Sequence, residues 1–420
     1  MEPSSAVVAA EHVLLVGAIV LFTGCVAGIL ARRIGVPDIV LYLAVGVLLG
    51  PVFKVLDVPA DSTLNQLLLL FGASYILFDG GASLRFAVLK QVWITLLLLA
   101  TVGVVITALV TAVAAHYFLG LPAIVAFLLA STIAPTDPAT LIPVFRQVNV
   151  RERLAQTVIS ESAANDATGA ILTFAVLIVA TGGGEFSIAH SLGRLGYEAL
   201  VGIAIGALAG YLASVFIAHQ RLGFLEEYLP LVTLMVVAGA YLQAGRVSAS
   251  GFMAVFAAGV VLGNRAHFGF ALPAAQAHRL EDFILTTALI MRMFIFILLG
   301  TQVNFALLDR YLWGAIAVVA VFMLVARPLT VFICALPDRR ARWSLRELVF
   351  MCWTRETGVI PCALAGILAG AGAPGADVIA AVIFTAVLVT ILVQATTTRW
   401  LARKLDLLED AGALSSRSSG

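Results

Sequence analysis

Charge is scarce in this chain. Only 12% of its 420 residues are Asp, Glu, Lys or Arg, against about 25% in an ordinary soluble domain, and the net charge is +1. That balance gives no basis for nucleic-acid binding, and no such partner is expected. Cysteine is equally sparse. Cys25, Cys334, Cys352 and Cys362 all lie in apolar stretches without CxxC or His-paired spacing. This argues against a thiolate metal site or a disulfide framework, and the four read as small core residues. The N-terminal MEPSSAVVAAEH lacks the basic start of a signal peptide, so the first apolar run is expected to stay as a membrane span.

What the chain does have is hydrophobic length. Apolar residues make up 61%, and mean hydropathy is +1.06. A bilayer is crossed by about 20 apolar residues in a helix. About thirteen such stretches are expected, near 12–31, 37–53, 64–84, 91–116, 122–145, 154–181, 194–218, 228–244, 248–264, 281–304, 311–336, 347–371 and 376–398. The fold class is therefore an all-α polytopic membrane protein, a single transmembrane domain over 1–410. A small polar tail, 411–420, is expected to be disordered.

Positive charge alternates between loops. One set carries Arg32 and Arg33, Arg85 and Lys90, Arg151 and Arg153, and the cluster Arg339 to Arg346; the other holds only Lys54, Arg194, Arg246 and Arg310. Lys and Arg favour the cytosolic side. The expected orientation is N-terminus outside and C-terminus in the cytosol of a cell membrane. Segment order also suggests inverted repeats, roughly 12–181 and 228–398, joined by a linker helix at 194–218, because an odd number of spans separates the partners.

The polar exceptions concentrate in Ser131 to Gly169. The fifth span contains Thr136 and Asp137, with Asp137 clasped by Pro135 and Pro138; proline removes a backbone donor, so the helix is expected to break there. The sixth holds Glu161, Ser162, Asn165 and Asp166 on one broad helical face. In the matching position of the second half, the twelfth span carries TRETGVIP, Thr354 to Pro361. Ionisable groups at bilayer depth are expensive and mark functional sites by default. Other intramembrane charges are Asp79 before Gly80 and Gly81, Arg292, Arg355 and Glu356. Arg327, just before Pro328, reads as a structural helix-end residue.

TDPAT in one span and ESAANDATG in the next resemble the sodium/proton exchanger branch of the monovalent cation/proton antiporters, in particular its prokaryotic NhaP-like members. The resemblance covers most of the chain. It implies two crossed broken helices in a six-helix core beside a dimerisation domain, and a homodimer. It places a cation- and proton-binding set on Asp166, Asp137, Thr136, Ser162 and Asp79. It gives Asn165, Glu161 and Arg355 a bracing role, with Glu161 and Arg355 paired. The family usually has Arg followed directly by Gly in the twelfth span; here Glu356 and Thr357 intervene. Arg292 and Glu356 are possible accessory charges.

The function this implies is exchange of Na⁺ or Li⁺ for a proton by alternating access, without cofactors and without enzymatic chemistry. Na⁺ would sit among Asp166, Asp137, Ser162 and Thr136. Burial raises a carboxylate's pKa and a bound cation lowers it, so one carrier, Asp166, couples the two fluxes. Asn165 cannot titrate and arginine does not release protons, so electroneutral exchange is expected. K⁺/H⁺ exchange on the same fold is the main alternative. A sodium-coupled symporter would need an organic-substrate pocket. An intramembrane aspartyl protease would need a GxGD motif near Asp79, Asp137 or Asp166.

Overall fold

A computed structural model of the protein describes residues 5–34, 36–136, 150–182, 188–218 and 225–408. Among them, nine helices are long and apolar enough to cross a membrane and four shorter apolar helices accompany them. These thirteen fall where the thirteen stretches were expected. In chain order they are α1 (Ser5–Ile34), α2 (Asp38–Val52), α3 (Thr63–Ser83), α4 (Lys90–Leu119), α5 (Ala123–Ile133), α6 (Glu152–Ala180) and α7 (Ile188–Ala218). Then follow α8 (Leu229–Arg246), α9 (Gly251–Gly263), α10 (Ala274–Thr301), α11 (Phe305–Ala335), α13 (Val359–Gly370) and α14 (Ala376–Lys404), with a further nine-residue helix, α12 (Leu345–Trp353), just before α13.

Both expected interruptions are present. Helix α5 stops at Ile133, well short of a full crossing, and the backbone runs non-helically through 134–136. The twelfth stretch is split into α12 and α13 by the non-helical 354–358. Ser344 and Glu347 close a capping box that fixes where α12 begins, satisfying orphan amides of the first turn. Asp137, and with it the rest of the TDPAT motif, lies outside the described residues, as does the tail 411–420.

The helices pack in two groups. In one, α3, α7, α8, α9 and α10 pack on one another, with α2 and α1 against α10. In the other, α4 packs on α5 and α11, α5 on α6, and α11 and α13 on α14. The groups meet where α13 crosses α3 and α10, and where α6 crosses α3 and α9. Large apolar side chains such as Leu14, Phe22, Val113 and Trp313 point outward, as a surface solvated by hydrocarbon rather than water requires.

At the Arg-rich end, polar ties hold the second group together. Trp343 Nε1 donates to Thr95 Oγ1 at 2.9 Å, and Arg153 stacks over the Trp343 ring at 4.4 Å while bonding Glu347 at 2.9 Å. The Asp338 carboxylate accepts from the Thr95 hydroxyl (2.8 Å) and from the amides of Thr95, Arg340 and Ala341, each at 3.2 Å. Burial opposes its charge, but these hydrogen bonds outweigh burial and hold the carboxyl below the usual carboxylate range.

Candidate functional site

The break in α5 is clasped by α6. Thr136, the residue after Pro135, uses every polar group it has against two side chains one turn apart. Ser162 Oγ donates to the Thr136 carbonyl at 2.6 Å, and Thr136 Oγ1 donates back to Ser162 Oγ at 3.0 Å. The Thr136 amide donates to Asn165 Oδ1 at 3.1 Å, and Asn165 Nδ2 donates to Thr136 Oγ1 at 2.9 Å. The spacing of Ser162 and Asn165 puts both on the face of α6 that the interrupted chain approaches. Asp166 follows directly and is 6% exposed.

Gly169 makes this approach possible. A Cβ there would lie 2.3 Å from Pro135 Cγ, inside any van der Waals contact. The glycine of ESAANDATG is thus needed for the proline of the fifth span to reach α6. Among the described residues, the clasp leaves acceptor positions open. A carbonyl or hydroxyl oxygen offers two acceptor positions, and the Thr136 carbonyl, Ser162 Oγ and Thr136 Oγ1 each accept a single hydrogen bond within the clasp. Three oxygens therefore converge beside a buried carboxylate, which is the donor chemistry of a hard monovalent cation. Asn165 uses both ends of its amide on Thr136.

The expected pair of Glu161 with Arg355 is not what the structure contains. Glu161, 2% exposed, is bound by Arg327, 1% exposed. Two guanidinium nitrogens meet the two carboxylate oxygens, Nη2 to Oε2 at 2.8 Å and Nη1 to Oε1, a bidentate pair. Arg327 Nε also donates to the Met351 carbonyl of α12 at 2.9 Å. Arg327 is therefore not a helix-end residue. It sits mid-span, directly after a widened π turn, Phe322–Ala326, and ties α11 to α6 and α12. Arg355 instead donates to the Ala134 carbonyl, just past the end of α5, with its guanidinium 4.9 Å from the Phe322 ring centre. Among the described residues it forms no ion pair. It braces the α5 break from the other side, linking the two interrupted helices directly. Neither role of the two arginines follows from spacing, because each contact joins residues far apart in sequence.

The remaining charges divide. Glu356 is buried in the stretch between α12 and α13. Asp79 is half-buried on α3. Its neighbour Gly80 lies against Ala163 of α6, where a Cβ would sit 3.2 Å from the alanine methyl, while Gly81 lies against the Phe256 carbonyl of α9. The glycines thus do allow close helix approach, and they bring the Asp79 turn beside the Ser162 turn. Arg292 belongs elsewhere: it is on α10, within electrostatic range of Tyr42 on α2.

A profile described as sodium/hydrogen exchanger, transmembrane, matches residues 17–404. The chain belongs to the sodium/hydrogen exchanger family. Its relatives include the low-affinity Na⁺/H⁺ antiporter NhaS1 of Synechocystis, 28% identical over 88% of this chain and 70% of that protein. The K⁺/H⁺ antiporter NhaP2 of Shewanella oneidensis is 28% identical, over 93% of this chain and 66% of its own length. The Na⁺/H⁺ antiporter 1 of Methanocaldococcus jannaschii is 30% identical over 82% of this chain and 80% of itself. The structure of the sodium proton antiporter MjNhaP1 from the same archaeon superposes with a TM-score of 0.80 at 26% identity, covering 94% of this exchanger-family chain and 99% of that one. The all-helical antiporter fold with its interrupted helices is thereby established for this chain.

Proposed function

We propose that the protein exchanges a monovalent cation, Na⁺ or Li⁺, for a proton across a cell membrane by alternating access. The observation that carries this is the clasp at the α5 break: Thr136 bound by Ser162 and Asn165, beside buried Asp166. Asp166 is the carrier. Protonated, it crosses without a cation; ionised, it binds the cation with the oxygens of Thr136 and Ser162. Asp137 joins this set from the residue after Thr136, and Asp79 reaches it through water from the adjacent turn of α3. Asn165 holds the break in register, and the Glu161–Arg327 pair holds α6 to α11. No cofactor enters this cycle.

The exchange is electroneutral in this reading, because one titrating carboxylate moves one positive charge in each direction. The N-terminus is outside and the C-terminus cytosolic, on the distribution of Lys and Arg among the loops. The two interrupted helices belong to inverted repeats, and the protein works as a homodimer, as the family resemblance implies. The K⁺/H⁺ reading remains attached to the same site, since NhaP2 is named for K⁺. Purified protein in liposomes with an internal pH dye tests these alternatives. Na⁺ or Li⁺ pulses are expected to move protons, and K⁺ pulses to do so at most weakly. A response to K⁺ alone would transfer the assignment to K⁺. No response to any of the three would refute cation/proton exchange.

A further inference from the structure

At the end of the molecule opposite the Arg-rich loops, one side chain spans the two helix groups. Gln66, in the first turn of α3, donates from Nε2 to the Ala60 carbonyl at 2.7 Å and to the Gly366 carbonyl of α13 at 3.1 Å. The first bond stays within its own group and the second crosses to the group that carries the clasp. Helix α13 is shaped to receive it. A Cβ at Gly370 would lie 1.9 Å from Gln66 Nε2, and one at Gly366 would lie 2.5 Å from Leu69 Cδ1. Gln66 and Leu69 are three residues apart and the glycines four apart, so one face of α3 is seated on one bare stripe of α13.

The surroundings hold Gln66 in place. Asn65 Nδ2 also donates to Ala60, at 2.8 Å, and Asn65 accepts from Gln302 Nε2 at 3.2 Å. Both acceptor positions of the Ala60 carbonyl are then filled, which fixes the loop before α3 onto that helix, and the Gln302 bond ties this turn to the end of α10. Beyond this seam lies a cavity of about 110 Å³, bounded by Ala60 and Gln302 of the seam, and by Asn304, Ala369, Phe384 and the carboxylate-bearing Asp377. The cavity thus carries a carboxylate in its wall and borders the seam.

We propose that Gln66 is the outer latch of the exchanger: its bond to Gly366 and its seat on Gly370 close the path from this cavity to the cation site, and release of that bond opens it. The proposal rests on the alternating-access reading above. The latch suits reversible use. Gln66 keeps its bond to Ala60 when it lets go of α13, and only one amide hydrogen and one carbonyl pass to water. The cavity then becomes the entry for a hydrated monovalent cation, drawn by Asp377. Gln66 touches no cation in this scheme; it sets which face is open.

The test labels Leu69→Cys, which the seam covers, in a background with Cys25, Cys334, Cys352 and Cys362 replaced by alanine. In oriented vesicles, a membrane-impermeant maleimide applied to the outer face should react slowly. Adding Gln66→Ala should speed that reaction at least threefold, and Gly370→Ala, whose methyl displaces Gln66, should do the same. An unchanged labelling rate with both variants overturns the latch, and so does label that arrives only from the Arg-rich side. Separately, Gln66→Cys with Gly370→Cys, bridged by a short bis-methanethiosulfonate, should lose at least tenfold in exchange and recover on reduction; full exchange while bridged also overturns it. Labelling needs no transport, so a failure of the proposed exchange activity would show in the unbridged protein and leave the labelling result to stand alone.

Discussion

Replacing Glu161 by Gln is the perturbation with the largest expected effect on stability. It leaves the Arg327 guanidinium, 1% exposed, with a neutral amide in place of two charge-assisted bonds. Breaking one side of a buried pair costs about 3–5 kcal/mol, chiefly because the surviving charge has nothing to offset its desolvation. Arg327→Met removes the charge itself but also the bond to the Met351 carbonyl, a further loss of about 1–3 kcal/mol for the orphaned acceptor. In the double variant no unpaired charge remains, so the two losses should overlap by about 1–3 kcal/mol. The same cycle run on Glu161 and Arg355 should be additive to within about 0.5 kcal/mol, since Arg355 bonds Ala134 and stacks on Phe322 instead. The assay is unfolding of the purified variants in one detergent, with folded protein confirmed by size exclusion. Coupling between Glu161 and Arg355 together with additivity between Glu161 and Arg327 would refute the pairing.

Further outcomes follow from individual contacts. Asn165→Ala removes both partners of Thr136 on that side and should lower exchange at least tenfold in folded protein, at a stability cost of about 1–3 kcal/mol; wild-type exchange rates would deny Asn165 its positioning role. Gly169→Ala forces a methyl against Pro135 and should cost about 1–3 kcal/mol, raising the cation concentration needed for half-maximal exchange; a neutral variant would show that Pro135 yields freely. Asp338 has a folded-state pKa below its ordinary value, so its contribution is present above the unfolded pKa and lost as pH falls through the folded one. Asp338→Asn should therefore destabilise at pH 6–8, with the difference shrinking as pH falls below about 4; a difference that grows on acidification would reverse that sign.

Much of this architecture was legible in the chain because a bilayer enforces it. Only helices satisfy their own backbone in hydrocarbon, so apolar length alone located thirteen segments, including the short ones. The break at Thr136 was legible for a local reason, proline flanking Asp137, and so was the shared helical face of Ser162 and Asn165, but not that both would bind Thr136. What failed was tertiary. Arg327 and Arg355 are both arginines deep in apolar segments, and nothing in the order of residues says which one meets Glu161. The Arg-Pro pair read as a helix end, yet Pro328 sits at the first positions of a helical segment restarting after the π turn. There its missing N–H costs little, and the helix continues. One cue was available: Arg327 lies inside the apolar stretch 311–336 rather than in a loop. The Gln66 latch had no sequence cue either, since an uncharged amide beside a span end is unremarkable until α13 is placed against it.

The account stands on Asp166 as the single group that exchanges a proton for a cation. Asp166→Asn keeps size and polarity but cannot ionise. The direct measurement reconstitutes wild type and Asp166→Asn in liposomes with an internal pH dye. Na⁺ is then pulsed with and without a potential imposed by K⁺ and valinomycin, after K⁺ has been checked as a substrate. The account predicts a proton flux in the wild type that is unchanged by voltage, and none in the folded variant. Exchange by Asp166→Asn at a comparable rate would contradict it outright, and a wild-type flux that shifts with voltage would mean a second group carries a proton.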